Sequence, residues 1–332
     1  MTARLHLVTG KGGVGKSSVT AALALVLARG GRRVLAVEVF PSKGLARALG
    51  ASPSAAGELV PLTALVDGGA GALFLASFDG EAALGEYLER RLHLPRLLAR
   101  IFRHRLYRAF VAAAPGLKEL MLVGKLRDAL VHRPSGEAQP WDALVVDLGA
   151  TGQGVAALRM PLAALEGFGG GRGLVERESE RLLAFLRDPE QTAVHVLALP
   201  EELPLAEARS LVSSLRDELG LPLGQLYVNQ CRPPVPASVP RLLDALSRTA
   251  AGLGGPDSAA GEDLRLAALR ALGWTRLQEE GIARLERESG VRAVRLPRLP
   301  PEGSPRAVVY GLAEAIAAED CERARRSAGV GN

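Results

Sequence analysis

Eight consecutive residues, Gly10-Lys11-Gly12-Gly13-Val14-Gly15-Lys16-Ser17, constrain this chain more than any other stretch, because they fit the pattern G-x-x-x-x-G-K-[ST] between two segments of opposite character. Residues 5–9, Leu-His-Leu-Val-Thr, read as a short buried strand, and residues 17–29, rich in Ala and Leu, read as a helix. A glycine-rich turn at that junction lets backbone N–H groups point inward around a polyphosphate, with the positive end of the helix facing the anion. In such a loop Lys16 reaches the terminal phosphates and Ser17 offers its hydroxyl to Mg²⁺. The expected nucleotide contacts are therefore Gly10, Lys11, Gly12, Gly13, Val14, Gly15, Lys16, Ser17 and Ser18. The second lysine inside the motif, Lys11, narrows the reading to one branch of nucleotide hydrolases.

The rest of the chain repeats the alternation. Apolar strands are expected at 33–39, 72–78, 141–147, 193–199, 224–228 and 291–296, with helical patterns at 205–219, 241–250, 264–289 and 306–325. Continuous apolar strands separated by helices imply a mostly parallel sheet covered by helices on both faces. The fold class is thus α/β, with residues 1–332 forming a single domain around the phosphate loop. Aromatic residues make up only 4% of the chain, so its core must be built from Leu, Val and Ala.

Three stretches interrupt this pattern. Residues 169–173 and 252–261 are rich in Gly, Ser and Pro and read as flexible loops, and 81–133 reads as a helical insertion. The insertion holds eleven Lys/Arg against five Asp/Glu, while the whole chain has 41 against 36. Basic charge is therefore concentrated there, either as a solvated set of arginines packed by their stems or as a surface for an acidic partner or an anionic membrane. Nucleic acid is not expected, since aromatic residues for stacking are few and no binding motif is present. No apolar run approaches the roughly 20 residues that cross a bilayer, and no signal-peptide pattern opens the chain, which points to the cytoplasm. The five histidines are scattered, without a ligand pattern.

A second landmark is residues 141–153, Trp-Asp-Ala-Leu-Val-Val-Asp-Leu-Gly-Ala-Thr-Gly-Gln: a strand ending in Asp147, then a glycine-containing turn. An acid at a strand end beside a phosphate loop can hold Mg²⁺ through its water shell, and the turn after it can respond to a γ-phosphate.

With these residues in view, the chain resembles the arsenite-pump and tail-anchored-protein-targeting ATPases. Lys-Gly-Gly-Val-Gly-Lys-Ser-Ser at 11–18 is similar to their deviant phosphate loop, and 147–152 is similar to their D-x-x-x-T-G segment. Leu-Pro-Glu-Glu-Leu-Pro at 199–204 and Tyr-Val-Asn-Gln at 227–230 resemble their later strand-end motifs, and Ala-Pro-Gly-Leu-Lys-Glu-Leu at 114–120 resembles a segment of a bacterial anion-transporting subgroup. The resemblance implies ATP and Mg²⁺ as ligands, Asn229 as an adenine contact, and a homodimer or a heterodimer with a paralogue, acting on an unknown protein cargo. It also implies that Lys11 crosses the interface to phosphates held by the other subunit, while Lys16 serves its own.

Two departures stand out. Relatives carry a water-orienting acid after the second strand, where this chain has Phe40; Glu38, two residues earlier, either takes that role or is a strand-end acid with a structural partner. Gln153 stands where the family often has His. With two cysteines, Cys231 and Cys321, far apart, neither a multi-thiol arsenite site nor a C-x-x-C zinc site is available, and three methionines give no Met-rich groove.

Overall fold

A computed structural model describes residues 2–39, 43–52, 57–66, 70–78, 116–131, 140–149, 151–167, 174–236, 238–252, 256–300 and 303–329. Phe40, the loop at 169–173 and all of the insertion except 116–131 lie outside the described residues.

The first strand, β1 (Leu5–Gly10), is buried at every position, as a strand covered on both faces must be. It runs through the glycine loop into α1 (Lys16–Arg29), whose Ala and Leu side chains are buried on nearly all sides. A helix apolar all round needs cover all round. The sheet supplies one side of it, while α2 (Gly44–Leu49) and the C-terminal helix α9 (Pro305–Gly329) supply the other.

The remaining strands are β2 (Arg33–Val39), β3 (Val60–Pro61), β4 (Ala72–Phe78), β5 (Ala143–Asp147), β6 (Thr192–Ala198), β7 (Leu223–Cys231) and β8 (Ala293–Pro297). They form one eight-stranded sheet in the order β3-β4-β2-β5-β1-β6-β7-β8. Every pairing is parallel except the short β3 against β4. The strands expected from sequence are all present; β3 is an addition, two residues long and too short to leave a periodic signal.

One face of the sheet is covered by α1, α2 and α9. The other carries α3 (Leu117–Val131), α4 (Thr151–Gly167), α5 (Leu174–Arg187), α6 (Glu202–Ser213) and α8 (Pro256–Ser289), and α7 (Val239–Gly252) packs on α8. The helices thus divide the core into two layers on either side of the strands, as the α/β reading requires.

The glycine-rich stretch at 252–261 is not a loop throughout: the helix of α8 already begins at Pro256. Pro suits a first helical position because its fixed φ fits and its missing N–H would have no partner there, and Asp257 follows near the positive end. The expected helix at 205–219 also divides, into α6 and a π turn over Ser214–Glu218.

β1 lies between β5 and β6, whereas the chain that leaves β1 goes first to β2 on the far side of β5. The strand order therefore reverses at β1, and the crevice beyond the carboxyl ends of β1, β5 and β6 is where an open α/β sheet takes its ligand.

Candidate functional site

The glycine loop occupies that crevice, and its glycines do different jobs. A Cβ on Gly10 would stand 2.3 Å from the Leu197 carbonyl oxygen, so only glycine lets β1 run this close to β6. Gly15 has φ +93°, and a Cβ there would stand 2.4 Å from Asn229 Nδ2. A Cβ added to Gly12 or Gly13 would meet nothing within 4 Å.

Lys16 and Ser17 open α1. Lys16 is buried, and its Nζ donates to the Lys11 carbonyl oxygen at 2.8 Å. Burial lowers the Lys16 pKa from its ordinary value, while the Asp147 carboxylate acts the other way. Ser17 Oγ donates to Asp147 Oδ2 at 2.5 Å, and the Gly149 N–H donates to Asp147 Oδ1 at 3.2 Å. The end of β5 and the start of α1, 130 residues apart in sequence, thus meet at one carboxylate–hydroxyl pair.

Mg²⁺ demands oxygen ligands, keeps several waters and typically takes one or two protein groups together with phosphates. A serine hydroxyl beside a buried carboxylate, on the residue next to Lys16, fits that requirement. Among the described residues no cluster of three or more His, Cys, Asp or Glu is arranged for a metal. Cys231 is buried and Cys321 exposed, and both are free thiols.

Asn229, expected as an adenine contact, is buried and donates from Nδ2 to the Val14 carbonyl oxygen at 2.9 Å. It braces the loop from the end of β7. The next residue, Gln230, holds a left-handed φ of 59°, and the chain just beyond is clamped by the buried Gln278 of α8, whose Oε1 accepts from the Arg232 N–H at 2.8 Å and whose Nε2 donates to the Arg232 carbonyl at 3.2 Å. Glu38 is buried in register with Asp147 on the adjacent strand, and its Oε1 accepts the Leu45 N–H at 3.0 Å. That bond satisfies a free donor in the first turn of α2. Gln153 is exposed on the first turn of α4.

Lys11 stands at the exposed tip of the loop, and its Nζ makes an ion pair with Glu207 Oε1 of α6. Neither Glu207 nor Gln278 is marked as a site residue by the sequence alone. Glu207 lies close behind the Leu-Pro-Glu-Glu-Leu-Pro segment, but nothing local pairs it with residue 11; Gln278 sits inside a long amphipathic helix and carries no local signal at all.

Behind the loop, β1, β6 and β7 contribute His6, His195 and Tyr227 to a ladder of stacked rings. The Gln225 N–H donates to His195 Nδ1 at 3.0 Å, which leaves His195 Nε2 as the proton carrier, donating to His6 Nδ1 at 3.1 Å. Burial holds both histidines neutral: the pKa of His6 is pushed down to about 4 and that of His195 well below its ordinary value.

These features define an α/β phosphate-loop nucleotide-binding protein. Residues 3–169 match the family described as anion-transporting ATPase, and the chain belongs to that family. It is similar to the ATPase BagA of Mycobacterium tuberculosis, 37% identical over 227 residues that cover 68% of this chain and 65% of BagA. It is also similar to protein Rv2184c of the same organism, 29% identical over 260 residues covering 69% of this chain and 59% of that one. ATPase GET3B of Arabidopsis thaliana is 25% identical over 275 residues, covering 70% and 65%. The chain thus spans less than two thirds of the length of each of these relatives. Among the described residues no helix is long and apolar enough to cross a membrane.

Proposed function

We propose that this chain is a Mg²⁺-dependent, ATP-binding and ATP-hydrolysing switch that works as a dimer and couples its nucleotide state to a protein cargo. The observation that carries this reading is the junction of Ser17 with Asp147 beneath the glycine loop. Lys16 binds the β- and γ-phosphates, Ser17 and Asp147 hold Mg²⁺, Asp147 through water, and the amides from Gly10 to Ser18 cradle the phosphates. Asn229 braces the loop and contacts adenine. Lys11 serves the nucleotide of the second subunit. When bound, Mg²⁺ neutralises charge on the phosphoryl group in transfer. Residues 1–332 act as one domain located in the cytoplasm, with the basic stretch 81–133 available for transient contact with an anionic membrane.

A second reading, a weakly hydrolysing regulatory subunit paired with a competent paralogue, is favoured by Phe40 at the position of the water-orienting acid and by the engagement of Glu38 with the Leu45 N–H. Steady-state phosphate release by the purified chain, alone and with a paralogue, separates the two. Turnover by the chain alone that Lys16→Ala abolishes supports the first reading; turnover that appears only with the paralogue supports the second.

A further inference from the structure

The Lys11–Glu207 pair joins the tip of the glycine loop to α6 across 196 residues of sequence. Lys11 sits on an exposed loop among glycines, whereas α6 is fixed to α8: Arg209 pairs with Glu288, and Leu205 packs so closely on Gly281 that a Cβ there would stand 2.8 Å from Leu205 Cδ1. Glu207 therefore presents its carboxylate from a helix packed on α8 to the cation at the exposed tip of the loop. Its second oxygen, Oε2, is shielded from solvent and has no donor among the described residues.

We propose that Glu207 is a latch that retains Lys11 within its own subunit and so sets the threshold for nucleotide-dependent dimer closure. The inference rests on the reading of Lys11 as a cation for the second subunit's nucleotide. A triphosphate carries several negative charges against one on Glu207, so a closed dimer draws Lys11 away, while a lone subunit keeps it. Departure of Lys11 leaves the Glu207 carboxylate with no donor on either oxygen among the described residues, one of them already out of water, and that cost opposes closure. The side chains of Lys11 and Glu207 are 46% and 38% exposed, so the latch is weak and adjustable rather than a lock.

The test uses the full chain with Glu207→Gln, Lys11→Ala and the double variant. Without nucleotide, acylation of the Lys11 amine by a small succinimidyl ester, followed by mass spectrometry, is expected to run about 2- to 5-fold faster in Glu207→Gln, the range an exposed ion pair can supply. With Mg²⁺ and the non-hydrolysable analogue AMP-PNP, sedimentation velocity should place the dimerisation midpoint of Glu207→Gln lower by a similar factor. The same substitution in the Lys11→Ala background should shift nothing. Unchanged acylation of Lys11, an unchanged or raised midpoint, or a Glu207→Gln effect that survives without Lys11 overturns the latch. A wild-type chain that stays monomeric with Mg²⁺ and AMP-PNP overturns the reading in trans and the gating with it; the acylation rate then reports on the ion pair by itself.

Discussion

Replacing Asn229 with alanine separates two roles that one side chain can serve. Its Nδ2 is the donor to the Val14 carbonyl oxygen, and Val14 is 1% exposed, so the variant leaves that carbonyl without its side-chain donor in the interior. Stranding a buried acceptor costs about 1–3 kcal/mol, and the loss falls on the loop proposed to present its amides to phosphate. If that cost appears mainly in binding, affinity drops by about 5- to 150-fold at roughly 1.4 kcal/mol per factor of ten. Because the brace acts on the phosphate loop, the loss should be similar for ATP and for inorganic tripolyphosphate, which has no base. Gly15→Ala provides an independent route to the same damage: its Cβ would stand 2.4 Å from Asn229 Nδ2 and would need φ +93°, so the amide must leave Val14. Calorimetric titration of both ligands into wild type, Asn229→Ala and Gly15→Ala is the measurement, with circular dichroism to verify folding. Weakened ATP binding by Asn229→Ala with tripolyphosphate affinity unchanged would refute the bracing argument and leave Asn229 with the base alone.

Lys16→Ala should abolish measurable ATP binding, whereas Lys11→Ala should spare binding and weaken nucleotide-dependent association; equal loss of binding in both would remove the division of labour between the two lysines. Stability should be flat above about pH 6.5 and fall on acidification, because the unfolded histidines take up protons from that pH downward while His6 in the fold resists protonation until about 4. For His6 alone this amounts to about 3 kcal/mol between pH 7 and 4, with His195 adding in the same direction, and urea midpoints across that range should show the slope reduced in His6→Leu. Intrinsic hydrolysis should be slow, and Phe40→Asp should raise the steady-state rate of phosphate release, since positioning of the attacking water matters by orders of magnitude in phosphoryl transfer. Glu38→Gln lowers the residual rate only if Glu38 orients that water; a vigorous wild-type rate that survives this substitution would mean that the water is oriented from elsewhere.

Those parts of the molecule whose physics is local were legible in the chain alone. The apolar run 5–9, the glycines that follow it and the Ala/Leu-rich helix specify a strand, a phosphate-sized turn and a helix N-terminus within 25 residues, and no distant partner is needed to recognise them. The alternation of apolar strands with helices likewise gave the parallel sheet, because burial on both faces leaves a continuous apolar signature. Where local cues conflict, the structure differs: the glycines at 252–261 suggest a loop, while α8 begins at Pro256 within that stretch. Tertiary structure alone decided which distant residues meet. It set Asp147 against Ser17, Glu38 in register with Asp147, Asn229 beneath Val14 and Glu207 on Lys11. These meetings follow from strand order, with β1 seated between β5 and β6 and β7 next in line. Strand order is fixed by how whole layers bury their faces, and that competition leaves no mark at any one position of the chain.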